Sequence, residues 1–179
     1  MDVNEHLHIV VMGVSGSGKT SLAQLLSEQL GWPYAEADEF HPAENIAKMS
    51  AGHALNDDDR WPWLRSIRDW MSAHAENGTG TIVTCSALKH VYRDLLREAR
   101  GRVVFVHVKA PAEVIQDRLD HREGHFMPPS LLPSQFATLE ELAPDEDGFN
   151  IENNTTPADL AQRTLAALGL AVGGEWTAR

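Results

Sequence analysis

The run GVSGSGKT, residues 13–20, has the spacing G-x-x-x-x-G-K-[ST], in which each fixed position has a physical task. The glycines let the backbone wrap until several N–H groups face one phosphate at the positive end of a helix dipole. Lys19 supplies a point charge to β- and γ-phosphates, and Thr20 offers its hydroxyl to Mg²⁺. Gly13, Ser15, Gly16, Ser17, Gly18, Lys19 and Thr20 are therefore the candidates for holding ATP, with Thr20 as the Mg²⁺ contact. A fortuitous glycine-rich turn would lack the required context, which is a strand before the loop and a helix after it. Residues 8–12 are a short β-branched run, and Leu22, Leu25, Leu26 and Leu30 recur at helical spacing before Gly31, so both conditions are met.

Such a loop does not say what becomes of the phosphate. A guanine-reading N/T-K-x-D sequence is absent, the only D-x-x-G lies late at residues 145–148, and the strand TIVTC ends without the acidic residue of a conventional Walker B. Small-molecule kinases of the nucleoside monophosphate kinase type survive this elimination, and a GTPase does not.

The elements that must position the loop follow from periodicity. Residues 8–12, 33–36, 81–84, 103–108 and 148–151 read as strands, and helical patterns follow most of them. Residues 42–49 predict a short helix with proline in its first turn, and residues 61–75 a longer one. Pro111 and Pro157 mark helix starts, the latter with Thr156 as N-cap. Alternation of this kind predicts an α/β fold: a three-layer P-loop NTPase architecture with a mainly parallel five-stranded sheet covered by helices on both faces. Ligands then bind where the strands end, so the loops after residues 12, 36, 84 and 108 must converge. The stretch GHFMPPSLLP carries three prolines and reads as a loop over that edge, a mobile lid at about residues 122–133. Trp61, Trp63 and Trp70 fit one helix, with Trp70 expected in the core. Trp176 lies in a polar glycine-rich tail, about residues 170–179, read as disordered.

Composition narrows the partners. With 179 residues, 42% hydrophobic and 23% charged, the chain suits one globular domain, 1–179, without linkers or repeats. A single cysteine, Cys85, excludes an intramolecular disulfide framework and Cys-based zinc spacing, and suits a reducing compartment. The longest apolar run, residues 9–14, falls far short of the roughly 20 residues needed to cross a bilayer. The N-terminus shows no signal pattern. A soluble, cytoplasmic protein with no membrane partner is expected. A net charge of −11 opposes broad contact with a phosphate backbone, so nucleic acid is excluded and a small-molecule substrate favoured.

Four stretches together resemble one family of small-molecule kinases: MGVSGSGKT, EADEFHPAENIAKMSAGHALNDDDRWPWL, CSALKHVYRDLLR and DRLDHREGHFMPPSLLPSQFATLEEL. They look like gluconokinase, across about residues 8–142. The resemblance implies transfer of the γ-phosphoryl of ATP to the 6-hydroxyl of D-gluconate, on a fold like that of shikimate and nucleoside monophosphate kinases, in a homodimer. Another small-metabolite kinase of that fold, acting on shikimate or a related sugar acid, is the near rival. A nucleotide switch without transfer chemistry is the distant one.

Within the matching motifs, Asp38 is expected to handle the acceptor hydroxyl, or else to cap the helix that begins near Pro42. Related kinases carry D-x-D here, whereas this chain has Glu36 and Asp38, and a Mg²⁺-water role for Glu36 stays open. His41 either contacts substrate or closes a turn. The substrate carboxylate requires cations, and Arg60, Lys89 and Arg93 are the basic residues available, with Ser86 beside them. Lys89 and Arg93, four apart, are expected on one helix face, as substrate contacts or as a solvated basic stripe. Arg118 and Arg122 are expected to close over ATP, or to pair with Asp117 or Asp120, and His125 to assist the lid. The family often has lysine where Glu123 stands, so this lid is less positive. Of the three consecutive aspartates, Asp58 is assigned to the sugar, with Asp57 and Asp59 left to capping or solvent.

Overall fold

All six residues of the first strand, β1 (Leu7–Met12), are buried, as a near-continuous apolar run requires of a strand covered on both faces. The computed structural model describes residues 6–14, 16–110 and 136–170. The expected lid, Arg118, Arg122, His125, the helix start at Pro111, Ser15 and residues 171–179 lie outside them. β1 pairs in parallel with β3 (Thr81–Thr84) on one side and with β4 (Arg102–Lys109) on the other. β2 (Tyr34–Glu36) adds outside β3, and β5 (Gly148–Glu152) outside β4. The sheet is five-stranded and parallel throughout, in the order β2-β3-β1-β4-β5, which is the α/β P-loop fold expected from the sequence.

Alternation along the strands builds two cores. Leu7, Ile9 and Val11 of β1, with Val104, Val106 and Val108 of β4, face α1 (Lys19–Leu30) and α5 (Pro157–Leu168). Val10 and Met12, with Val83, Val103 and Phe105, face α3 (Asp57–Glu76) and α4 (His90–Leu96). Helices therefore cover both faces of the sheet. The one polar side chain in β1, His8, is satisfied: its Nε2 lies 2.6 Å from the Arg100 carbonyl and its Nδ1 2.7 Å from Thr81 Oγ1. The carbonyl accepts, so Nε2 carries the proton and Nδ1 accepts from the hydroxyl. Burial lowers the pKa of this imidazole to about 4, and it stays neutral.

Local signals set most boundaries. Gly31 ends α1 in the left-handed conformation at φ 72°, and Thr156 Oγ1 caps α5 by accepting from the Asp159 amide at 3.1 Å. Pro42 stands just outside α2 (Ala43–Ser50), as its N-cap. The helix expected to begin near Trp61 begins at Asp57. Apolar spacing starts at the tryptophan, but the boundary is set by a capping box in which Asn56 Oδ1 accepts from the Asp59 amide at 2.8 Å and Asp59 Oδ2 from the Asn56 amide at 2.9 Å. Among the tryptophans of α3, Trp63 is the buried one, at 5% exposure. Trp70 is half-buried and packs edge-on against Phe40, with ring centroids 6.0 Å apart. Leu170, assigned to the tail, is buried against the first core, and its amide donates to the Leu165 carbonyl at 2.9 Å.

β1 delivers the chain to Gly13, whose φ of +145° already excludes most side chains. A Cβ there would stand 2.7 Å from the Val108 carbonyl oxygen and 2.8 Å from Ser17 Oγ. Gly13→Ala should therefore displace the loop at a cost of about 2 kcal/mol, seen as a lower melting temperature together with weakened nucleotide binding in a calorimetric titration.

Candidate active site

The loop after β1 is shaped to surround an anion. Gly16 and Gly18 adopt φ of 83° and 105°, and Gly18 is the N-cap of α1 with no side chain capping it and no acid in the first turn. An α1 N-terminus with neither a side-chain cap nor an acid presents the positive end of its dipole to an anion. Lys19 Nζ donates to the carbonyls of Gly13 and Val14 at 2.8 and 3.0 Å, which holds the ammonium at the mouth of the loop. Ser17 is fully buried, and its Oγ has no hydrogen-bond partner among the described residues. From the far side Asn153 Nδ2 donates to the Ser17 carbonyl at 2.8 Å, and the Asn153 amide to that of Lys109 at 2.7 Å. The segment after β5 therefore buttresses the loop.

Thr20 turns toward β2. Its hydroxyl donates to Glu36 Oε1 at 2.7 Å, the Thr84 hydroxyl donates to Glu36 Oε2 at 2.8 Å, and the Tyr34 phenol also donates to Oε1. Burial and the neighbouring carboxylate push the Tyr34 phenol far above its ordinary range, so it remains a donor. A carboxylate beside the loop threonine offers the hard oxygen ligands that Mg²⁺ takes along with phosphates and water. The residues present thus fit both a nucleotide phosphate chain and its ion.

The segment after β2 forms the wall opposite the loop. Residues Ala37–Phe40 make one 3₁₀ turn, which carries half-buried Asp38 at the carboxyl end of the sheet. Asp38 does not cap α2, because Pro42 occupies that position without any side-chain cap bond. Trp63 anchors the turn by donating from Nε1 to the Ala37 carbonyl at 2.7 Å. His41 stacks on the same indole at 4.1 Å and 14°, and burial lowers its pKa to about 4, with Asp38 opposing and Arg60 adding to the shift. Asn45 Nδ2 reaches the Asp59 carbonyl at 2.8 Å, tying α2 to the start of α3. Lys19, Asp38 and Arg60 all act electrostatically on the Cys85 thiol, which burial pushes up to about 12. The starts of α1 and α3 and the turn after β2 thus each bring a charge within electrostatic range of the end of β3.

The third wall follows β3. The Gly13 amide donates to the Ser86 carbonyl at 3.4 Å, joining this loop to the first. Ala87 takes φ +46°, the one positive φ among described non-glycine residues. Lys89 is the N-cap of α4 and has extended backbone, so it does not share a helix face with Arg93. Lys89 Nζ donates to Asp57 Oδ1 at 2.9 Å, as does the Tyr92 phenol, and Arg60 Nη1 donates to the Tyr92 oxygen at 2.9 Å. Arg93 instead turns inward at 0% exposure. It forks onto Glu146 through Nε and Nη2, at 2.7 and 3.0 Å, and donates to the Ala87 carbonyl at 2.8 Å.

Residues 9–127 match the protein family described as an AAA domain. The gluconokinase of Gluconobacter oxydans is 48% identical over 149 residues, which cover 83% of this chain and 84% of that protein. The chain belongs to the gluconokinase family. A sugar kinase structure from Janibacter sp. HTCC2649 superposes with a TM-score of 0.88 at 55% identity, covering 93% of this chain and 96% of that one. A gluconokinase from Sinorhizobium meliloti 1021 gives 0.75 at 41% identity, covering 93% and 92%.

Within this gluconokinase-family fold, Lys19 and Thr20 open α1, Asp38 and His41 lie in and just after the turn that follows β2, Arg60 is in the first turn of α3, and Ser86 and Lys89 are in the loop after β3. Two expectations are corrected. Arg93 is neither a solvated stripe nor on the open side with Lys89, because a carboxylate fifty-three residues later in the chain draws it inside. Asp57, left to capping or solvent, is bound by Lys89 and Tyr92, while Asp59 takes the capping role and pairs with Lys48 at 2.7 Å. Asp58 is exposed. Sequence reasoning missed Tyr92 and Glu146. Tyr92 stands inside CSALKHVYR, three residues after Lys89, and shares with it the partner Asp57. Glu146 carried no local signal.

The Arg93–Glu146 pair has a pH signature. Burial alone would raise the Glu146 carboxyl, but Arg93, the Ala143 amide and Arg97 outweigh it and hold the pKa at about 2. A depressed carboxylate adds stability that is present above its unfolded value, near 4.5, and is lost as pH falls toward 2. Glu146→Gln should cost about 3 kcal/mol at pH 7 and flatten the pH dependence of unfolding below 4.5, as measured by urea melts across that window.

Proposed function

We propose that this protein transfers the γ-phosphoryl group of ATP to the 6-hydroxyl of D-gluconate, giving 6-phospho-D-gluconate and ADP. The observation that carries the reading is the meeting of a phosphate-cradling loop, an acceptor-side carboxylate and a pair of cations at one sheet edge, in a chain of the gluconokinase family.

Phosphoryl transfer asks the protein mainly for position and charge, since the loose transition state leaves it little covalent work. The α1 N–H groups and the backbone of residues 13–18 hold the β- and γ-phosphates. Lys19 exchanges its carbonyl partners for phosphate oxygens. Thr20 and Glu36 would hold Mg²⁺, which when bound draws negative charge from those oxygens. On the acceptor side Arg60 and Lys89 receive the carboxylate, and His41, Asp58 and Ser86 lie along the polyol. Asp38 orients the 6-hydroxyl and takes its proton as that oxygen bonds to the γ-phosphorus and the bridge to ADP breaks. His41 serves as a neutral partner, consistent with its low pKa. Arg118, Arg122 and His125 complete the proposal as groups closing over the nucleotide.

Arg93 is left out of direct contact, because its guanidinium is used up inside the protein. The same reading takes the protein as a cytoplasmic homodimer. Among the described residues no helix is long and apolar enough to cross a membrane.

Release of ADP should be followed with gluconate, other sugar acids, shikimate and no acceptor. Gluconate should give the highest kcat/KM; turnover with shikimate but not gluconate, or hydrolysis indifferent to the acceptor, would overturn the reading. Lys19→Ala should abolish turnover with an unchanged circular dichroism spectrum. Asp38→Asn should leave ATP affinity nearly intact and lower kcat by about 100-fold or more, and an unchanged kcat would remove Asp38 from proton transfer.

A further inference from the structure

The hydrogen bonds around Tyr92 run in one direction only. A guanidinium cannot accept and a carboxylate cannot donate, so Arg60 Nη1 gives its proton to the phenol oxygen and the phenol gives its own to Asp57 Oδ1. Lys89 Nζ donates to that same Oδ1 at 2.9 Å. Both cations also lie against the face of the Tyr92 ring, the guanidinium carbon at 5.3 Å and the ammonium at 5.6 Å from its centroid. The ring is fixed in turn, at 1% exposure, with Trp61 packed edge-on at 5.6 Å.

This arrangement keeps an arginine and an aspartate apart. Arg60 and Asp57 lie on the same turn of α3, where a direct ion pair would form readily and would cancel the charge an anionic substrate needs. Tyr92 stands between them and satisfies each with one bond. The remaining N–H groups of Arg60 have no acceptor among the described residues. Arg60, Lys89 and Asp57 together carry one excess positive charge, which matches one carboxylate. Burial and the bond to Asp57 raise the pKa of the phenol, so it remains a neutral go-between at working pH.

We infer that Tyr92 is the positioning residue for substrate selection: it holds Arg60 off Asp57 and presents Arg60 and Lys89 as a two-cation receptor for the carboxylate of a sugar acid. The inference rests on the proposed gluconate kinase activity. It assigns Tyr92 no contact with the reacting atoms.

Tyr92→Phe keeps the ring and removes only the go-between. It should raise KM for gluconate about tenfold, the worth of one hydrogen bond to a charged group, with kcat and KM for ATP within about twofold. Discrimination between gluconate and the uncharged hexitol of the same length should shrink by a similar factor. In an Arg60→Lys background the same change should add less than about twofold, because residues acting through one another are not additive. An unmoved KM for gluconate in Tyr92→Phe, an equal penalty in both backgrounds, or a joint rise in both KM values with a lower melting temperature would overturn the role. Wild-type protein that neither binds nor phosphorylates gluconate would overturn the functional reading and this inference with it. Normal wild-type turnover with an unmoved Tyr92→Phe KM would overturn the inference alone.

Discussion

Pairing of β1 on both sides is the constraint from which the rest of the molecule follows. A strand hydrogen-bonded in parallel to β3 and to β4 must end at the same edge as its neighbours, because parallel register leaves no other place for its carboxyl end. The backbone beyond Met12 then has to turn within one residue under the Val108 carbonyl, and a glycine there permits the turn. From that point the phosphate loop, the 3₁₀ turn after β2 and the Ser86–Lys89 loop are neighbours.

Charge is handled locally in this acidic protein. With a net charge of −11, the long-range field would repel both ATP and a sugar acid, so the site depends on short-range cations and on a helix N-terminus left without an acid. The run of three aspartates looks at first like a mistake beside an anion site, yet its members have been sorted. Asp59 closes the capping box and pairs with Lys48. Asp57 is tied to Lys89 and Tyr92. Asp58 is left exposed.

Residues 140–146 are bound to the loop after β3 through a buried ion pair and neighbouring hydrogen bonds. Glu146 receives Arg93 and Arg97, the Glu140 amide donates to the Leu88 carbonyl at 2.7 Å, and Lys109 reaches Glu141 at 3.0 Å. A buried pair of this kind adds less net stability than its distances suggest, because both charges were desolvated to form it. Its consequence is geometric. The carbonyl of Ala87, at a strained positive φ, is held by Arg93, and the loop that carries Ser86 and Lys89 keeps one shape.

The sequence by itself determined whatever depends on neighbours along the chain. Strand and helix order, the left-handed stop at Gly31, the Thr156 cap and the phosphate loop are local, since spacing, glycine and capping chemistry act within a few residues. The family motifs likewise named Asp38, Arg60 and Lys89. Only the tertiary structure decided what the basic side chains touch, because charge pairing joins residues dozens of positions apart. Arg93 and Lys89 have equal charge and lie in one motif, yet a distant Glu146 takes the first inside and Asp57 keeps the second at the site. Glu36 shows the same division: its place at the end of β2 was legible, but three hydroxyls from α1, β2 and β3 meet on its carboxylate only once the sheet has formed.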